Sequence, residues 1–133
     1  MRVFIDANVF VALVNAKDST HNKALGLMGK LQKENPQFFT SSDVVKEAAT
    51  IISQKTDHAS AVKFLNEMDM GDINVIFVDS ELNGAGLEEF KLQTSKNISC
   101  VDAVSFVIVK KYNIDFAFTF DRDFKKPRIK IYN

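Results

Sequence analysis

Apolar residues in this chain alternate between two rhythms. Short runs rich in β-branched and aromatic residues at Arg2–Ile5, Gln37–Thr40, Asn74–Val78 and Phe116–Thr119 predict strands, with a last short strand at Ile129–Tyr132. Between them, apolar positions recur every three or four residues, as at Ala24, Leu25, Met28 and Leu31, and predict helices. These span Asn8 to about Ala16, about Ser19 to Lys33, Ser42 to about Lys55, about Asp57 to Met68, Ser80 to about Thr94, and Val101 to Tyr112. Lys17-Asp18 breaks the first pair and Gly71-Asp72 closes the second. Asn35-Pro36 stops the second helix, because the residue before a proline is pushed out of the α region. Strands separated by helices long enough for crossovers imply an α/β protein, a three-layer α/β/α arrangement with a central parallel sheet of four to five strands.

Composition narrows this little. At 133 residues, 46% of them hydrophobic, the chain is expected to be one domain, residues 1–133, with no repeat, linker or low-complexity segment. Its 17 basic and 17 acidic residues cancel, so any nucleic-acid signal must be local. Cys100 is the lone cysteine, which leaves neither a disulfide scaffold nor a Cys/His zinc site and fits a reducing cytoplasm. The opening MRVFIDANVF carries an acid within its short apolar run, unlike a signal peptide, and no run reaches membrane-spanning length, so a soluble protein is expected.

The candidate chemistry lies in the carboxylates. Ligands of open α/β sheets bind beyond the carboxyl ends of the strands, and Asp6, Asp79 and Asp121 all follow strands. Each alone is explained equally by a helix N-cap or an Asx-turn. Glu47 shares a helical face with Val44, Ala48 and Ile51, so it is either a buried acid that needs a partner or a half-exposed one at the stripe's edge. Asp102 fits a capping box with Ser99, which does not prevent it from facing the same crevice. Should Asp6, Glu47, Asp102 and Asp121 converge, two bare carboxylates about 4 Å apart would repel by roughly 4 kcal/mol at an effective dielectric of about 20. An all-oxygen set without His or Cys selects hard cations, Mg²⁺ or Mn²⁺, the equipment of metal-assisted phosphodiester hydrolysis.

These acids stand in a context that resembles the PIN domain, in particular the VapC-type toxin ribonucleases. Phe4-Ile5-Asp6-Ala7-Asn8-Val9-Phe10 is similar to the family's opening strand-Asp-x-Asn-apolar signature, and Glu47 in Val44–Thr50 to its glutamate on the helix after strand two. Ser99–Phe106 around Asp102, followed by Ala117-Phe118-Thr119-Phe120-Asp121-Arg122-Asp123-Phe124, completes a likeness that covers essentially the whole chain. It implies that Asp6, Glu47, Asp102 and Asp121 are the metal-binding and catalytic acids, with Asp123 as an accessory acid and Asn8 and Thr119 orienting the acids or the phosphate. It also implies RNA hydrolysis with Mg²⁺ or Mn²⁺, a homodimer, and inhibition by a small antitoxin protein when the chain is a toxin. The alternative within the family is an RNA-processing or decay nuclease without an antitoxin. His21 and His58 receive no catalytic role; the first reads as structural and the second as a surface residue.

Between Lys110 and Lys130 the chain has seven basic residues and three acids, and Arg122 and Lys125 flank the proposed site as candidates for RNA phosphate contacts. Phe38, Phe39, Phe118 and Phe120 lie in strand-like runs and read as core rather than as stacking platforms. A phosphoacceptor receiver domain would use Asp79, but it needs an acidic pair after the first strand and leaves Glu47 and Asp102 without purpose. A haloacid-dehalogenase-type phosphatase needs a second acid where Asn8 stands. A PIN fold reduced to a binding module would not need all four acids.

Overall fold

The computed structural model describes residues 1–133 and contains a five-stranded, wholly parallel sheet in the order β3-β2-β1-β4-β5. Its strands are β1 (Arg2–Ile5), β2 (Gln37–Ser41), β3 (Ile73–Ile76), β4 (Phe116–Phe118) and β5 (Ile131–Tyr132). The helices are α1 (Ala7–Val14), α2 (His21–Lys33), α3 (Ser42–Lys55), α4 (His58–Met70), α5 (Ser80–Leu92) and α6 (Cys100–Lys111). This is the α/β architecture that the alternating rhythms predicted, and β1 at its centre has Val3, Phe4 and Ile5 fully buried.

The chain steps from β1 to β2 to β3 in one direction, then returns across the sheet to β4 beside β1. With right-handed crossovers, the outward steps put α1–α4 on one face and the return puts α5 and α6 on the other. Helix packing follows the same division: α1 lies against α2 and α3, α3 against α4, and α5 against α6. The reversal of direction falls between β1 and β4, and it is beyond the carboxyl ends of the strands at such a switch that open α/β sheets bind their ligands.

Several element ends differ from the sequence expectation, most of them because side chains capture backbone groups. The first helix stops at Val14 rather than near Ala16, because Asn15 and Asp18 accept backbone N–H bonds from Lys17 and Thr20 in successive Asx-turns. The same turns delay α2 from Ser19 to His21. The third strand ends at Ile76, not Val78, because the Val78 N–H donates to Ser42 Oγ instead of the ladder. The last strand begins at Ile131 rather than Ile129, since Arg128 takes a left-handed conformation (φ 63°) that turns the chain first. Helix α2 stops at Lys33, before Pro36 as expected, but Asn35 makes the stop through a left-handed turn (φ 49°) rather than the extended backbone that a following proline favours. A 3₁₀ turn at Arg122–Lys125 was not anticipated from the sequence, being too short to show a period.

Candidate active site

Each acid's place follows from a local rule. Asp6 closes β1 and is the N-cap of α1, its Oδ1 accepting the Ala7 N–H at 2.8 Å. The carboxylate is only 5% exposed. Its Oδ2 accepts two more bonds, from Thr119 Oγ1 at 2.8 Å and Asn8 Nδ2 at 3.1 Å. Asn8 also donates to Thr119 Oγ1 and accepts the Phe120 N–H, and Thr119 Oγ1 accepts the Asp121 N–H at 3.0 Å. Asn8 and Thr119 therefore join the ends of β1 and β4 in one polar network running from Asp6 to Asp121. Beneath it, Thr40 Oγ1 donates to the Ile5 carbonyl at 2.9 Å and ties in the end of β2.

Glu47 projects from α3 at the edge of the buried stripe, which consists of Val44, Val45, Ala48 and Ile52, and is itself half-buried. Ile51, expected on the same stripe, is only partly buried. Asp102 is the third residue of α6 and does form the capping box: Ser99 Oγ accepts its N–H at 3.0 Å, and its Oδ2 accepts the Ser99 N–H at 2.9 Å. Asp121 caps the 3₁₀ turn through the Asp123 N–H at 2.8 Å. Asp79, by contrast, is fully explained as the N-cap of α5, far along the sheet at the end of β3.

The acids feel one another. Burial pushes the Asp6 carboxyl up to about 7 against the pull of its Thr119 and Ala7 hydrogen bonds, with the charges of Asp102 and Glu47 adding to the rise. Glu47 is raised by burial and then by Asp102 and Asp43. Asp102 is raised by burial, despite its Ser99 bonds, with Asp121 and Asp123 pushing the same way. Asp6, Glu47, Asp102, Asp121 and Asp123 thus share one electrostatic neighbourhood. Among the ion pairs, only Asp123 of this group has a cation, Lys126 at 2.8 Å. Asp43, a residue that sequence reasoning passed over, acts on Glu47 from one helical turn earlier; its signal was the i,i+4 spacing.

Oxygen donors, low exposure and mutual repulsion, with no basic partner for Asp6, Glu47, Asp102 or Asp121, suit a hard divalent cation. No three of these carboxylates converge tightly enough to cage an ion by themselves. That is compatible with Mg²⁺-type binding, which uses one or two carboxylates and completes the shell with water and substrate phosphate. Arg122 and Lys125 are exposed on the 3₁₀ turn beside Asp121. His21 Nδ1 lies 2.6 Å from the Ala12 carbonyl and joins α2 to α1, while His58 is exposed.

Comparison with known proteins gives a consistent picture. A PIN domain family profile matches residues 3–130. VapC20 of Mycobacterium tuberculosis, a 23S rRNA-specific endonuclease, is 30% identical over 122 residues, covering 92% of this chain and 91% of that protein, in both strain CDC 1551 / Oshkosh and strain ATCC 25618 / H37Rv. The crystal structure of Mycobacterium tuberculosis VapC20, a Sarcin-Ricin loop cleaving toxin, superposes with a TM-score of 0.83 at 27% identity, covering 96% of this chain and 95% of that one. VapBC2 from Rickettsia felis, bound to a DNA fragment from their promoter, shares the fold at a TM-score of 0.63 and 16% identity, with 100% and 98% covered.

Proposed function

The chain belongs to the PIN domain family, and from that premise we propose that it is a divalent-metal-dependent endoribonuclease and the toxin of a type II toxin–antitoxin pair. The observation that carries the proposal is Asp6: a carboxylate at 5% exposure, fixed by three hydrogen bonds where β1 ends beside β4, in the field of two further acids and with no cation beside it. Its hydrogen bonds orient the carboxylate without neutralising it, and the lack of a basic partner leaves its charge to a bound cation.

In this reading Asp6, Glu47, Asp102 and Asp121 hold Mg²⁺ or Mn²⁺, which supplies a polarised phosphodiester and an activated water. Asn8 and Thr119 keep the Asp6 carboxylate in one orientation, and their bonds to the Phe120 and Asp121 backbone set the height of Asp121 above the sheet. Asp123 is an accessory acid whose charge is moderated by Lys126. Arg122 and Lys125, exposed beside Asp121, contact RNA phosphates and position the RNA without reading its sequence. Residues 1–133 act as one nuclease unit, as a cytoplasmic homodimer restrained by a small antitoxin protein. The toxin assignment draws on the relative that is itself a toxin. No helix is long and apolar enough to cross a membrane.

The test is cleavage of single-stranded RNA by purified protein, with and without Mn²⁺ or Mg²⁺, beside Asp6→Asn. Metal-dependent cutting that disappears in the variant is the expected result. Equal cutting by both proteins would trace the activity to a contaminant, and cutting that survives chelation would remove the metal from the mechanism.

A further inference from the structure

Charge in this chain is segregated. The 21 residues from Lys110 to Lys130 hold seven basic and three acidic side chains, leaving ten basic and fourteen acidic residues in the rest of a neutral molecule. The fold spreads this segment down one flank. Arg122 and Lys125 stand at the carboxyl-end rim beside Asp121, and the chain then descends so that the Lys130 carbonyl accepts the Ala117 N–H at 2.9 Å, near the start of β4. The strand β4 alone spans three residues of this height, at about 3.3 Å per residue roughly 10 Å, and residues 119–121 carry the chain on to the rim. Along this descent Arg128 and Lys130 are exposed while Ile129 between them is buried, so one apolar anchor holds both cations at the surface. Arg128 sits in the left-handed region (φ 63°), a conformation that residues with a Cβ seldom adopt. A hollow at the foot of this edge is lined by Lys110, Asn113, Arg128 and Lys130 among others. The acid that shares it, Asp115, is already engaged by the Arg2 N–H at 2.8 Å. Arg122, Lys125, Arg128 and Lys130 form no ion pair, while Lys110 lies 3.9 Å from Glu89 and Lys126 2.8 Å from Asp123.

We propose that this flank, from Arg122 down to Lys130 with Lys110 at its foot, is an extended phosphate-binding strip that grips RNA at a distance from the cut. The inference rests on the ribonuclease reading and adds to it a substrate class: RNA long enough, or folded so, that its backbone reaches the amino end of the sheet. A tetranucleotide with two stacked residues on each side of the cut, at about 3.4 Å each, reaches only about 7 Å along the strip.

Binding of a fluorescein-labelled 30-nucleotide RNA hairpin and of a labelled tetranucleotide, measured by anisotropy in EDTA across a KCl series, tests it without relying on cleavage. Arg128→Asn with Lys130→Gln removes both charges, and asparagine tolerates the left-handed turn; thermal denaturation checks that the fold is kept. For the hairpin, the slope of log K against log salt is expected to fall in magnitude by about 0.7–0.9 per lost contact, with affinity down about tenfold. The tetranucleotide should lose less than twofold, and Arg128→Lys with Lys130→Arg should restore hairpin binding. An unchanged slope, or an equal loss when Lys30 and Lys33 on α2 are replaced by Gln instead, overturns the strip. Wild type that cuts RNA with Mn²⁺ while the slope stays unchanged leaves the nuclease standing without the strip. Wild type that binds the hairpin as expected but never cuts removes the nuclease and keeps the strip.

Discussion

Asp6 stores a pH-dependent strain that can be measured without any substrate. In the unfolded chain its carboxyl titrates near 3.8, and in the folded protein near 7. Between those values the native state holds more protons than the unfolded state, so stability falls as pH rises through the window, is unaffected below it and is flat above it. The shift corresponds to about 4 kcal/mol for this buried group. Asp6→Asn removes the titration. It also exchanges one of the two bonds at Oδ2 for an amide facing the amide of Asn8, a cost that does not depend on pH. Urea denaturation in EDTA at pH 4.5 and pH 8 should therefore show wild type losing several kcal/mol relative to the variant as pH rises. Parallel losses in the two proteins would mean that the Asp6 carboxylate is solvated in the native state.

At the scale of elements, the site depends on how α6 is seated, because Asp102 lies in its first turn. Gly86 on α5 faces Val104 on α6 so closely that a Cβ there would stand 2.3 Å from Val104 Cγ2 and 3.0 Å from its Cα. The first contact could be relieved by the side chain, but the second is backbone, so an added methyl must push the helices apart. Gly86→Ala is expected to destabilise by about 1–3 kcal/mol, and Val104→Ala added to it should recover part of the loss, as read from a double-mutant cycle in urea. Additive losses would show that α5 shifts freely on α6. Such a close approach was not legible in the sequence, where Gly84 and Gly86 look alike. The helices and strands themselves were legible, since each buries a face and burial imposes a period. Their ends were not, because they turn on individual acceptors such as Asn15, Asp18 and Ser42 Oγ. The acids after strands were visible, but Asp79 and Asp6 look the same until the strand order is known: one ends at an edge, the other at the reversal beside β4. Asp102 shows that a capping explanation and a site explanation are compatible, as its carboxylate satisfies Ser99 and still couples to Asp6, Glu47, Asp121 and Asp123.

For the whole molecule, the five-stranded sheet acts as a frame that forces like charges together. The acids come from four separated stretches of chain, so the unfolded state keeps them apart and folding brings the repulsion into being. A divalent cation bound only by the folded state must then stabilise the fold, by about 2.7 kcal/mol at a hundredfold excess over its dissociation constant. For a chain of this size that is a rise of roughly 10 °C in Tm. Protons compete for the same oxygens, since Asp6, Glu47 and Asp102 are all raised. Mn²⁺ should accordingly raise Tm strongly at pH 8 and little at pH 5, and Asp6→Asn should flatten the pH 8 response. Differential scanning fluorimetry across Mn²⁺ concentrations at the two pH values reads this directly. The same Tm rise at both values would place the ion on exposed carboxylates whose protons leave at lower pH, and none at either would mean that the protein needs bound RNA to complete the ion's shell.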